Sequence, residues 1–141
     1  MSPKALKILL TLSVFLHLGG NIWHGDAHEI LEIALPGFKM AFVVIVILIG
    51  PISGTALIWT NHSILGCWIT GCSMAGSVLF SVYHHYVLIS IDNVDHLPPG
   101  TPEAHAHFSN SAELIALAAL ASAFLSFYAA GKLSERDASA V

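Results

Sequence analysis

FKMAFVVIVILIGPISGTALIW, residues 38–59, carries a single charge, on Lys39. It is long enough to cross a bilayer, because a spanning helix needs roughly 20 mostly apolar residues. Three further runs, 5–24, 64–89 and 111–131, read the same way. Together the four occupy most of the 141 residues, of which 55% are hydrophobic and 10% charged, with a mean hydropathy of +0.75. No soluble domain of ordinary composition is this apolar. The expected fold is all-α: a polytopic membrane protein with four transmembrane helices in an antiparallel bundle, forming a single domain over 1–141.

Charge placement orients the bundle. Lys4 and Lys7 precede the first run, and Lys132 and Arg136 follow the fourth. With four spans the positive-inside rule puts both termini in the cytoplasm, in the inner (plasma) membrane if the cell is bacterial. Lys39 alone dissents. The N-terminal run also imitates a secretory signal ending near Gly25-Asp26-Ala27, but His17 and Asn21 inside it favour a retained helix. The net charge of −4 and the absence of a Lys/Arg stripe exclude nucleic acid as a partner.

The histidines fall at one end of the spans. Seven of the nine lie in or beside two segments, His24 to Glu32 and His84 to His107, which share most of the carboxylates. By the predicted topology both face the extracytoplasmic side. His62, in the short opposite loop, stands alone. In the first span His17, Asn21, His24 and His28 follow at +4, +3 and +4, the spacing of one helical face, provided that the helix continues through Gly25. In the third, Gly66, Thr70, Ser73, Ser77, Ser81 and His84 form a small, polar face, expected to turn into the bundle. Gly50 and Gly54 around Pro51 predict a kink with close packing. Ala112, Ala116, Ala119 and Ala123 give the last span a narrow face, and Glu113 is a carboxylate in need of a partner. The loop 92–107, with Pro98-Pro99-Gly100, is expected to fold over the bundle end as a lid.

Imidazole and carboxylate together suit copper, zinc or iron, and His24 with His28 at i, i+4 places two imidazoles within reach of one ion. The candidate metal ligands are His24, His28, His84, His85, His107 and Glu113. A haem b between imidazoles of different helices is the alternative, drawn from His17, His24, His84 and His85. Covalent attachment is excluded, since there is no C-x-x-C-H. A third reading is a cofactor-free structural or pH-sensing subunit, whose histidines form a wet interface with Trp23, Tyr83 and Tyr86 as anchors. No G-x-S-x-G, phosphate loop or H-E-x-x-H is present, so no motif assigns an enzymatic reaction. Cys67 and Cys72 lie about 140° apart around a helix and cannot readily bridge. The reading is metal handling or redox support in the lipid bilayer, as a homo-oligomer or as part of a larger membrane complex.

Overall fold

The structure, a computed structural model, describes residues 2–139, so the extreme ends of the expected 1–141 domain lie outside the described residues. The described residues are all-helical, without strands, and four helices are long and apolar enough to cross a membrane. They are α1 (Pro3–Ile30), α2 (Gly37–Ile58), α3 (Ser63–Val87) and α4 (Pro102–Ser139). In the most apolar window of each, only 28%, 28%, 33% and 44% of residues are buried, respectively. The larger, apolar share of every helix therefore faces outward, a surface suited to hydrocarbon and not to water.

Each helix end follows from local chemistry. Ser2 caps α1 by accepting from the Ala5 N–H at 3.2 Å, with Pro3 just after it, where a missing N–H costs nothing. At the other end Glu32 adopts a left-handed φ of 53°. The Ile33 N–H then reaches the His28 carbonyl at 2.9 Å, and the Glu32 N–H reaches that of Glu29 at 3.2 Å. These two bonds are the reversal that closes a helix by satisfying its last carbonyls. The expected passage of α1 through Gly25 is observed, and the helix stops at Ile30.

In α2 the expected kink takes a specific form. Val43–Ile49 winds with the wider π-helical turn, and the Gly50 N–H bonds the Ile45 carbonyl immediately before Pro51. The wide turn absorbs the disturbance of a residue that has no N–H to donate. A second wide turn, Tyr83–Val87, ends α3, with the Leu88 N–H on the Tyr83 carbonyl at 2.7 Å. Helix α4 begins at Pro102, capped by the Thr101 hydroxyl on the Ala104 N–H at 3.2 Å. His105 and His107 therefore sit on this helix, not in a lid loop.

α4 packs against both α1 and α3, and α3 packs against α2, whereas α1 meets α2 chiefly through Gly50–Ile58. Small residues set these approaches. A Cβ on Gly66 would stand 2.6 Å from the Gly54 carbonyl oxygen and from the Ile58 nitrogen, so the α2 and α3 backbones touch there. The polar face of α3 turns inward as expected, with Gly66, Thr70, Ser77 and Ser81 buried, as are Ala112, Ala119 and Ala123 of α4. Cys67 is buried and Cys72 is exposed, both as free thiols. A smaller apolar cluster of Ala27, Leu31, Ile33 and Phe108, with Val94 and Leu97 against it, ties the 88–101 loop to the end of α1.

Candidate functional site

Three imidazoles converge where α1 and α3 end. His24 Nε2 lies 3.2 Å from His28 Nε2 and 3.2 Å from His85 Nε2. All three side chains are buried, with His24 7%, His28 8% and His85 3% exposed. One turn of α1 separates His24 from His28, so the i, i+4 spacing alone puts them side by side. His85 arrives from α3 because of the wide turn. An α-helical continuation of the Ser77 and Ser81 face would favour His84 at +3, but the wider turn brings the residue at +4, His85, into line with it.

The other nitrogen of each ring is held by oxygen. His28 Nδ1 lies 3.2 Å from the Ile33 carbonyl, and His85 Nδ1 lies 2.9 Å from the Asp92 carbonyl. A carbonyl only accepts, so both Nδ1 atoms carry the proton. His24 Nδ1 lies 2.9 Å from Ser111 Oγ, whose own proton goes to the His107 or Phe108 carbonyl, 2.7 and 3.0 Å away. The hydroxyl thus accepts from His24 as well. In the neutral rings so protonated, the Nε2 lone pairs of His28 and His85 both face that of His24.

Asp92 adds the negative charge. Its buried Oδ1 has no hydrogen-bond partner of regular geometry, but it lies 3.3 Å from His28 Nε2 and 3.4 Å from His85 Nδ1. Oδ2 pairs with the buried Lys39 ammonium at 3.3 Å. Burial opposes ionisation of Asp92, yet the close approach and charge of His28 and His85 in their protonated forms outweigh it and hold the carboxyl well below the usual carboxylate range. The loop that carries Asp92 is fixed by the Val94 N–H on the His85 carbonyl at 3.0 Å. Phe108, fully buried, contacts all three rings, with centroid distances of 4.7 Å to His24, 5.2 Å to His28 and 5.4 Å to His85.

Among the expected ligands, the structure brings together His24, His28 and His85. His84, one residue from His85, is buried between the Phe80 and Tyr83 rings, with Nδ1 unpartnered. His107 stacks on Trp23 at 5.3 Å and bonds its carbonyl at 3.1 Å, with Asp26 3.7 Å away. Glu113 is exposed on α4. His17 is fully buried one level deeper, on Ser77 Oγ at 2.9 Å. The residues absent from the expected set are Asp92, Lys39 and Ser111. Lys39 had a signal in the sequence, since a lysine on the wrong side of the positive-inside rule needs an anion. Ser111 had none, being one hydroxyl among many.

Among the described residues, no set of three or more His, Cys, Asp or Glu side chains is already arranged to hold a metal ion. A cavity of about 240 Å³ adjoins the cluster, lined by His24, His28, His85 and Asp92 together with apolar side chains of α2, α3, α4 and the loop between α1 and α2. No known protein family, curated protein or solved structure matches the chain.

Proposed function

We propose that this protein binds a transition-metal ion between His24, His28 and His85, with Asp92 as a fourth ligand, and serves in metal handling or as a redox accessory subunit of a membrane system. The observation that carries the reading is the placement of His24 Nε2 3.2 Å from both His28 Nε2 and His85 Nε2, each on a ring whose Nδ1 faces an oxygen. Lone pairs facing one another in a buried site repel unless a Lewis acid lies among them. With imidazole–metal bonds of ~2.0–2.1 Å, a separation of 3.2 Å corresponds to two ligands at an angle of roughly 100° on one ion. Small rotations of the rings close the remaining gap.

The pattern around the rings supports the same reading, since metal-bound histidines donate their second N–H to a carbonyl, carboxylate or hydroxyl that fixes tautomer and orientation. Copper, zinc and iron all accept such a donor set. A haem b is less well supported: imidazoles on opposite faces of its iron stand about two such bonds apart, roughly 4 Å, and the His24 and His85 rings meet edge to face with an interplanar angle of 75°. Protons are the competing Lewis acids. A single proton on His28 relieves its contact with His24 but leaves the one between His24 and His85.

In this proposal the four helices form an antiparallel bundle across the bilayer with both termini cytoplasmic, so the site lies on the extracytoplasmic side, in the inner membrane if the cell is bacterial. Purification from cells grown with copper, zinc and iron, followed by elemental analysis and an absorption spectrum, tests the reading. A stoichiometric ion is expected in the wild type and in His84→Ala and His107→Ala. It is expected to be lost in His24→Ala and His85→Ala. A metal-free wild type that takes up none of the three ions on titration ends the proposal.

A further inference from the structure

The cavity beside the histidines has one strongly polar end and mostly apolar walls, in which Asn21 and Ser81 are the other polar side chains. Leu35, Met40, Val43, Ile47, Phe80 and Ile115 supply those walls, while the imidazoles and Asp92 form the polar end. Phe108 touches all three rings but does not line the cavity, so the imidazoles stand between a sealed phenyl and an open chamber. Gly25 of α1 and Met40 of α2, both exposed, are among its lining residues, and a Cβ added at Gly25 meets nothing within 4 Å, so the cavity reaches the outer surface of the helices there.

Size and chemistry narrow the occupant. An apolar cavity of ~150 Å³ stays dry and takes benzene, so about 240 Å³ holds one substituted ring. The acceptor at the polar end without a regular hydrogen bond is the buried Asp92 Oδ1, whose two lone pairs allow it to ligate the ion with one and accept from a ligand with the other. A matching ligand therefore needs a donor next to its ring, as in O–H, and no charge, so that it can arrive through lipid. We infer that the chamber binds a monocyclic phenol or hydroquinone, with the ring among Val43, Ile47 and Phe80 and its hydroxyl donating to Asp92 Oδ1 beside the ion. The inference rests on the metal reading above and names the ligand class of that same site.

Cobalt(II) in place of the native ion gives separate readouts for the two. Its visible absorption band reports metal binding, and its paramagnetism broadens the fluorine resonance of para-fluorophenol held nearby. In detergent-solubilised full-length protein, saturable broadening is expected for para-fluorophenol and less for fluorobenzene, which lacks the donor. Gly25→Phe and Val43→Trp each place a large ring where the cavity lining now has a smaller residue. In both variants the cobalt band should persist and the broadening should vanish. Equal broadening of the two probes, or broadening unchanged in both variants while the cobalt band is intact, overturns the inference and leaves the metal site standing. Failure of the wild type to bind cobalt, copper, zinc or iron removes both.

Discussion

His24 Nε2 and His85 Nε2 face each other at 3.2 Å, although 61 residues of chain separate them. Neither is free to turn away, because Ser111 holds one ring by Nδ1 and the Asp92 carbonyl holds the other. In the proposed function, the facing lone pairs of these rings oppose each other until a cation lies among them. Ser111→Ala removes the acceptor for His24 Nδ1 without touching the ion. Loss of such an orienting partner typically lowers metal affinity by about 10–100-fold, and chelator competition should find this variant weaker by at least about 10-fold. Ser122→Ala, about three turns further along the same helix, whose hydroxyl bonds the Ala118 carbonyl, should match the wild type.

Acid acts on Asp92 in a defined order. Its carboxyl is held below the usual range in the folded protein, whereas the unfolded chain titrates near ~3.9. A depressed folded pKa contributes stability that is complete above the unfolded value and is lost as pH falls through the folded one. Unfolding in detergent, compared between wild type and Asp92→Asn, should therefore show a constant gap from pH 7 to about pH 5. The gap should shrink only below about pH 4. A gap that closes between pH 7 and pH 5 would mean that Asp92 is not held ionised by its histidine neighbours.

The helices and half of the site could be read from the chain, and the limits have physical causes. Hydropathy located all four long helices because a bilayer demands about 20 apolar residues of each. The i, i+4 pair His24 and His28 was legible because an α-helix has one period. His84 and His85 could not be ranked, since the choice turns on a wide turn at Tyr83–Val87 that leaves no local mark in the residues themselves. Asp92 was one of several loop carboxylates. Only the fold of 88–101 back onto α1 buries it while Asp95 stays exposed. The lone dissent of Lys39 from the charge rule was the one sequence clue to that ion pair.

Gly66 carries the contact of α2 with α3. A methyl there meets the backbone at the Gly54 carbonyl and the Ile58 nitrogen, both 2.6 Å away, and backbone cannot rotate aside as a side chain can. Overpacking of this kind costs about 1–3 kcal/mol. Gly66→Ala should lower the thermal unfolding midpoint in detergent, while Gly19→Ala, where nothing lies within 4 Å of the new carbon, should leave it unchanged or raise it slightly. Because α3 also carries His85, Gly66→Ala is further expected to weaken metal retention at temperatures well below its unfolding midpoint.

Lys39 gives the most discriminating test of what the cluster is for. Its ammonium and the Asp92 carboxylate are both buried, 3.3 Å apart, and removing one partner of such a pair typically costs about 3–5 kcal/mol, because the other is left charged and alone. Lys39→Met in the metal-free protein should therefore lose on the order of 3 kcal/mol in reversible unfolding. If the cluster holds an ion, that ion supplies a second positive charge beside Asp92, and the metal-loaded variant should recover much of the loss. It should also bind the ion more tightly than the wild type, since Lys39 no longer competes for the carboxylate or repels the incoming cation. The same deficit with and without metal would show that Asp92 takes no part in holding the ion. Asp92→Asn combined with Lys39→Met provides the control: with both charges gone, the stability cost should fall well below that of Lys39→Met alone, and the gain in affinity should disappear.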